Sequence, residues 1–199
     1  MPSAVDISNA ALNMLGATNI ISLTEDSKAA RIINQRYETV RDAVFRSHTW
    51  NSLIKRAELA QLSAAPAFGY TYQYTIPADC LRVLEFTNGT FSYPQDNIFN
   101  NNGGPVYVIE GRNLLTDEAV AKIKYISKVE DTNLYDSLLV ETLSARLAYE
   151  ICYAITGSNA LLGTAKTLYD EKMKEARFVD ATEGATERFE ASDLIESRF

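Results

Sequence analysis

The residues of this chain that could do chemistry are one histidine, two cysteines and a few groups of acidic residues. His48 is the only histidine, so a histidine-based catalytic triad or an HExxH zinc motif would have to use it. Its neighbours Arg46, Ser47, Thr49 and Trp50 form no recognisable nucleophile motif. We therefore expect His48 to have a structural role, and the sequence predicts no catalytic residue.

The two cysteines, Cys80 and Cys152, lie far apart in the sequence and have apolar neighbours. This pattern is typical of buried, reduced thiols rather than of a disulfide or a zinc site. Metal binding needs clustered histidine, cysteine or carboxylate ligands, and the sequence contains no such cluster. A Walker A sequence and a GxGxxG motif are also absent. No cofactor and no metal ion is predicted.

Acidic residues are the remaining candidates for catalysis. Glycoside hydrolysis needs two carboxylates roughly 5–10 Å apart in a cleft. The adjacent acids at 25–26 and at 130–131 lie at the N-termini of predicted helices, which attract acidic residues, so a capping role is the better interpretation. A cell-wall hydrolase or glycan-binding protein stays open as an alternative function, with Glu85 and Glu110 as its candidate carboxylates. A monomeric binding domain is a further alternative.

Charge is distributed unevenly along the chain, whose formal net charge is −7. Residues 28–56 carry seven basic and two acidic side chains, whereas residues 180–199 carry six acids and two arginines. A free-standing nucleic-acid binder is not expected, because such affinity comes mainly from neutralised phosphates. The basic stretch is either a solvated helix face or a contact with an acidic partner or a DNA channel.

Apolar runs in the sequence are all shorter than the roughly 18 residues that span a bilayer. The first residues lack the basic start and apolar stretch of a signal peptide. We therefore expect the chain to stay in the cytoplasm of the cell that makes it.

Helical periodicity is found at both ends of the chain. Ser3 is predicted to cap a first helix that runs to about Leu15, where Gly16 would end it. Thr24 is predicted to cap a second helix with one apolar stripe. Two further helices near the C-terminus are separated by Gly157, and the short connection predicts that they are antiparallel neighbours.

Strand-like sequence lies between the two helical regions. Residues 70–76 alternate tyrosine with smaller side chains, and residues 81–87 form the next apolar run before an Asn-Gly turn. A hairpin is predicted over residues 106–115 and a further strand over residues 120–129.

These segments together predict an α+β fold with three parts. Residues 1–50 and 130–180 would form one discontinuous antiparallel helical bundle, built from the two ends of the chain. Residues 51–129 would be an inserted antiparallel β module. Residues 181–199 would be an acidic arm with scattered large apolar side chains, suited to contact with another chain.

Several segments resemble tail tubular protein A, the family of head-to-tail adaptors, or gatekeepers, of short-tailed phages. The run RSHTWN at 46–51, followed by KRAEL at 55–59, is similar to a segment common in the family. The run YTIPADCLRV at 74–83 is similar to another. NAALNMLG at 9–16 fits the family's first helix, and RLAYE at 146–150 fits a later one. The resemblance covers about residues 5 to 180.

The resemblance implies a virion structural protein without enzymatic activity, made in the host cytoplasm and located in the virion tail. Its copies would form a ring, a dodecamer, bound beneath the portal protein and continuing the DNA channel toward the tail nozzle protein. DNA would pass through without sequence-specific binding. No membrane and no small-molecule substrate is implied.

The resemblance also suggests roles for individual residues. The junction between bundle and β module would be held by the motif residues Trp50, Pro77, Asp79 and Arg82, with Asp79 and Arg82 paired across the turn after Pro77. Portal docking is expected from the apolar residues of the arm, Phe189, Leu194, Ile195 and Phe199. The basic residues expected to face the channel or a partner are Arg31, Arg36 and Arg41.

Overall fold

The computed structural model of this chain describes residues 2–94 and 106–183, which contain four α-helices and seven strands. The helices are α1 (Ala4–Met14), α2 (Lys28–Ser47), α3 (Ser137–Thr156) and α4 (Asn159–Glu183). The strands are β1 (Ile54–Glu58), β2 (Tyr72–Thr75), β3 (Cys80–Thr87), β4 (Ser92–Pro94), β5 (Tyr107–Glu110), β6 (Asn113–Thr116) and β7 (Lys122–Ser127). The predicted α+β class is confirmed.

The first helix begins and ends as the sequence predicts. Ser3 Oγ accepts a hydrogen bond from Asp6 N at 3.1 Å, and the Asp6 carboxylate accepts from Ser3 N at 2.7 Å. This reciprocal capping box satisfies two main-chain donors that the helix itself cannot. After Leu15, Gly16 takes a φ of +67°, a conformation that glycine adopts without steric cost.

The second helix begins later than predicted. The predicted cap at Thr24 is wrong, because Ser27 is the N-cap and its Oγ accepts from Ala30 N at 3.1 Å. The Glu25 carboxylate is outside the helix, where it accepts from Ile21 N at 2.7 Å. These main-chain hydrogen bonds, chiefly the one from Ile21, lower the pKa of Glu25.

Helix α3 is the helix that contacts all the others: it packs against α1, α2 and α4. Asp136 caps it, and Gly157, with a φ of +67°, ends it as predicted. Ser158 then caps α4 through a hydrogen bond from Leu161 N to its Oγ. Helix α2 runs antiparallel to α3, since Phe45 meets Tyr135 at a ring distance of 5.3 Å while Arg36 meets Glu150 at 2.7 Å.

The strands form two antiparallel sheets. The four-stranded sheet has the order β1-β7-β3-β4, and the three-stranded sheet has the order β2-β6-β5. The second sheet contains the predicted 106–115 hairpin, with Gly111 at its turn.

Buried apolar side chains form two clusters that meet at β7. One cluster fills the space between the helices and includes Ile126 of β7. The other lies between the two sheets and includes Ile123 and Tyr125 of the same strand. Because successive strand residues point to opposite faces, β7 contributes to both cores. The four-stranded sheet therefore lies between the helical layer and the second sheet.

Candidate functional site

Two of the segments that carry the resemblance, residues 46–59 and 74–83, lie against each other where α2 meets the four-stranded sheet. The Arg46 guanidinium at the end of α2 donates to the main-chain oxygen of Leu81 in β3 at 2.6 Å. Separately, Lys55 of β1 lies 3.0 Å from Asp79. The junction of helix and sheet is thus built from side chains of both segments, and we take it as the centre of the candidate site.

Asp79 is held at this junction by two partners that are distant in sequence. Its carboxylate accepts from Lys55 Nζ at 3.0 Å and from Tyr125 OH at 3.1 Å. Burial would raise the pKa of Asp79, but the hydrogen bonds from Lys55 and Tyr125 outweigh it and lower the pKa. The sequence suggested Arg82 as the partner of Asp79 across the turn, whereas the structure assigns the carboxylate to Lys55 and Tyr125. Pro77 holds this turn, since its oxygen accepts from Cys80 N at 3.0 Å.

Trp50 lies directly after α2 and is 1% exposed. Its Nε1 donates to the main-chain oxygen of Val44 at 3.0 Å, which closes the end of the helix. Its indole belongs to the helical core cluster together with Leu53 and Ile126, residues that lead into and lie within the four-stranded sheet. Trp50 therefore packs at the boundary between helices and sheet.

The C-terminal end of α4 is fastened to the same boundary, in a set of contacts that we call the α4 clamp. Asp180 accepts from Asn51 N at 3.0 Å and lies 3.0 Å from His48 Nε2, and its main-chain oxygen accepts from Asn51 Nδ2 at 2.7 Å. One turn earlier, Arg177 donates to the Ser47 oxygen at 3.0 Å. Ser47, His48 and Asn51 of the clamp belong to the motif at 46–51, whereas sequence patterns did not single out Arg177 and Asp180.

His48 is positioned by the α4 clamp. Its ring packs edge-on against Trp50 at a centroid distance of 4.9 Å. Burial lowers the pKa of His48, and this effect exceeds the opposing attraction of Asp180. The nearby Arg177 and Arg82 lower it further. A largely neutral imidazole that bridges two helix ends agrees with the structural role expected from the sequence.

A cleft of about 480 Å³ opens beside the junction, between β3 and the β5–β6 hairpin. We call it the arginine cleft, because the guanidinium-bearing residues Arg46, Arg82 and Arg112 line it. The Arg112 guanidinium donates to the main-chain oxygens of Ile76 and Pro77. No sequence pattern pointed to Arg112, which lies in a tight turn between two strands.

Cys80 lines the arginine cleft and is only partly buried, whereas Cys152 is buried as predicted; both thiols are free. Burial raises the pKa of Cys80 to about 11, although Arg112 and Arg46 act in the opposite direction. The Cys80 thiol is therefore protonated at neutral pH and is a poor nucleophile.

The three arginines predicted to face a channel or a partner are in different environments. Arg31 is exposed and pairs with Asp26 at 2.6 Å. Arg36 is half-exposed and pairs with Glu150 at 2.7 Å. The prediction for Arg41 is wrong, because this residue is only 5% exposed and its Nε lies 2.9 Å from the Asp42 carboxylate. A buried guanidinium cannot face a channel, so Arg41 is removed from that set.

The two carboxylates considered for hydrolysis lie on different sheets. Glu110 is on β5 of the three-stranded sheet, whereas Glu85 is on β3 of the other sheet. Glu85 instead shares a groove of about 290 Å³ with Glu58, together with Lys122 and Lys124 of the strand between them. Opposite charges on neighbouring strands are an ordinary stabilising pattern of sheets.

The predicted capping role of the acids at 130–131 is confirmed for Asp131. Its carboxylate accepts a hydrogen bond from Asn133 N at 3.0 Å and caps the 3-10 turn Thr132–Leu134, which precedes α3.

The predicted portal-docking residues lie outside the described part of the chain: Phe189, Leu194, Ile195 and Phe199. Among residues 2–94 and 106–183, no three histidine, cysteine or carboxylate side chains are grouped as metal ligands. No described helix is long and apolar enough to cross a membrane.

Comparison with known proteins found no match to this chain, either among protein-family models or among curated proteins.

Proposed function

We propose that this protein is a virion structural protein, a ring-forming adaptor that links the portal to the tail nozzle of a short-tailed phage and continues the DNA channel. In this proposal the four helices form an antiparallel bundle built from both ends of the chain, and the sheets are a module inserted into it. The sequence resemblance suggests the family, and the proposal adds a structural reason for assembly.

The observation that carries the proposal is the exposure of large apolar side chains in several separate places. The exposed fractions run from 58% to 92% for Ile21, Phe68, Phe91, Leu134, Tyr153 and Phe178. Single exposed apolar residues are normal in monomers. Six large ones on one small chain, four of them aromatic, favour contacts with other chains, since aromatic side chains are enriched at interfaces.

Their positions would allow contacts with more than one neighbouring chain. Helices α3 and α4 run antiparallel, with Thr142 Oγ1 lying 3.4 Å from the Lys172 oxygen. Tyr153 is therefore near the end of this pair at the α3–α4 turn, and Phe178 is near the opposite end. Phe68 and Phe91 lie instead in the β1–β2 and β3–β4 connections. A subunit of a cyclic ring needs such distributed contacts, because it touches one copy on each side and further proteins above and below.

Mass photometry of the purified protein, alone and mixed with the portal ring of the same phage, tests this function. A discrete complex of one portal ring with many copies of this chain is the expected result. Absence of any complex at micromolar concentration would exclude the adaptor role. Cleavage of purified peptidoglycan that a Glu85→Gln substitution abolishes would instead establish the hydrolase alternative, and glycan binding by a protein that stays monomeric would establish a binding domain.

A further inference from the structure

We propose that the arginine cleft is the docking site of the chain's own C-terminal segment, residues 184–199. The segment would bind within the same molecule, with its acidic side chains on the arginines and its large apolar side chains on the cleft walls. This inference concerns the isolated chain, and it does not depend on whether the protein forms rings.

The cleft has the chemistry to bind an acidic, apolar peptide. Arg46 and Arg112 donate hydrogen bonds to main-chain oxygens, which are neutral, so these bonds leave both positive charges uncancelled. Both guanidiniums also act on the Cys80 thiol: they lower its pKa, although burial, the larger effect, raises it. Arg82 also lines the cleft, and the docking of carboxylates is assigned to Arg46 and Arg112 alone. Guanidinium groups suit carboxylates because their donors match the two carboxylate oxygens.

The walls of the cleft are apolar. The accessible part is formed by Val108, which is partly exposed, and by Ile109, which is 44% exposed, whereas Ile76 and Val83 line the cleft but are almost fully buried. Bound aliphatic or aromatic side chains would remove the surface of Val108 and Ile109 from water, which favours docking. The lining combines positive charge with apolar surface, and a ligand that matches it needs both acidic and apolar groups.

Residues 184–199 have this composition. Acidic side chains occur at every third position, namely Glu187, Glu190, Asp193 and Glu196. Large apolar side chains are interspersed with them, namely Phe189, Leu194, Ile195 and Phe199. The four acids outnumber the two arginines of the segment, so its side chains carry net negative charge. Charge and apolar character are therefore both complementary to the cleft.

The end of α4 is close enough for the segment to reach. The clamp holds Arg177 to the oxygen of Ser47 at 3.0 Å, and Ser47 is next to the cleft residue Arg46. Sixteen residues follow Glu183, and they span on the order of 50 Å when extended. A short tether also gives the segment an effective concentration in the millimolar range, which favours docking in the same molecule over docking in a second copy.

Disulfide trapping in the full-length protein tests the docking directly, because Cys80 lines the cleft. Ser192→Cys or Ser197→Cys places a thiol on the segment without removing an acidic or a large apolar side chain. That thiol is first converted to a mixed disulfide with thionitrobenzoate. The Cys80 thiolate then attacks the protein sulfur of this disulfide, forms the new S–S bond and releases the thionitrobenzoate anion. The reaction is run at about pH 9, because only the thiolate is the nucleophile.

The matched control keeps the tether and removes its charge. It carries the same cysteine with the substitutions Glu187→Gln, Glu190→Gln, Asp193→Asn and Glu196→Gln, so random collisions within the tether are unchanged. We expect the acidic segment to form the intramolecular disulfide about tenfold faster than the neutral one, and added salt to reduce the difference. Equal rates for the two segments would overturn the proposal. Disulfide-linked dimers as the main product would also overturn it, since they would place the segment in the cleft of a second copy.

Discussion

At the scale of single residues, His48 and Asp180 join parts of the chain that are 132 positions apart. Two effects act on the histidine in opposite directions. Burial removes water from the ring and disfavours its charged form, whereas the Asp180 carboxylate favours that form. Burial is the larger effect, so the pKa of His48 in the folded protein lies below its ordinary value of 6.5. Protonation therefore favours the unfolded chain, in which the ring is hydrated.

The pH dependence of stability follows from this difference. At pH values well above about 7, His48 is neutral in the folded and the unfolded states, so its effect on stability is constant. As the pH falls toward and below 6.5, the unfolded chain binds the proton first, and the free energy of unfolding therefore decreases. Urea unfolding between about pH 7.5 and 5.5 should show this decrease in the natural protein. Because His48 is the only histidine, a His48→Gln variant should lose most of the slope in this window. An unchanged slope in the variant would contradict the assignment.

At the scale of elements, the start of α2 shows how local side chains choose a helix boundary. Thr24 and Ser27 are both good N-cap residues, and only one of them accepts a hydrogen bond from the first turn. Thr24 Oγ1 instead lies 2.9 Å from Ser22 Oγ in the connection after α1.

Two alanine substitutions test which of these two residues caps α2. Ser27→Ala should lower the free energy of unfolding by about 1 kcal/mol, because Ala30 N loses its side-chain acceptor. Thr24→Ala is the matched control and should change stability by less than about 0.5 kcal/mol, as it removes only an exposed contact between hydroxyls. Chemical denaturation measures both. A larger loss at position 24 than at position 27 would place the start of the helix at Thr24.

Substitution of alanine for two glycines, one at the end of α3 and one inside α4, should change the stability of the protein in opposite directions. Gly157 has a φ of +67°, so Gly157→Ala should cost about 1 kcal/mol through backbone strain. Gly163 lies inside α4 with no atom within 4 Å of an added Cβ, so Gly163→Ala should stabilise by about 0.5–1 kcal/mol. Thermal unfolding of the two variants beside the natural protein measures both shifts. Shifts of the same sign would contradict the assigned end of α3.

Features that depend on neighbouring residues in the sequence were predicted correctly, whereas features that depend on contacts between distant residues were not. The cap at Ser3 and the glycine stop at Gly157 depend on a few neighbouring residues, and both were predicted. The burial of Arg41 depends on Asp42 together with the rest of the helical core, whereas the sequence predicted that Arg41 would face the channel or a partner. The partners of Asp79 come from β1 and β7, which only the sheet brings together. Such contacts leave no local pattern in the sequence.

The candidate site was predictable to the same limited degree. The motif segments around Trp50 and Pro77 were identified from the sequence, and the structure brings them together. The arginine cleft needed Arg112 from the β5–β6 turn, and the clamp needed Asp180 from the far end of α4. Both residues are ordinary surface types in the sequence, and tertiary structure alone gives them a position beside the motifs. The proposed three-part division into bundle, β module and arm stays a prediction.

At the scale of the whole molecule, β7 couples the two cores. Its residue Ile126 packs with the helices, whereas Ile123 and Tyr125 pack between the sheets. The Ser127 hydroxyl adds a buried hydrogen bond to the oxygen of Leu53 at 2.9 Å, which ties the strand to the segment leaving α2. A rigid connection of this kind keeps exposed residues of the helices and of the strand connections at fixed relative positions. A building block that must meet several neighbours at once benefits from that rigidity, because less freedom is lost on assembly.

Assembly should therefore depend on exposed apolar residues that the monomer does not need. Phe178 is 71% exposed on α4, so Phe178→Ser should leave the urea unfolding of the monomer almost unchanged. Burying a phenylalanine at an interface is worth about 1.5–3 kcal/mol, so its loss should weaken assembly on the portal about ten- to a hundredfold. Lys174→Ser is the matched control, since Lys174 is exposed one turn away on the same helix face and is not apolar. Equal occupancy of the portal by both variants in mass photometry would show that Phe178 does not form a subunit contact, and the interface would then have to use other exposed apolar residues, such as Tyr153, Phe68 and Phe91.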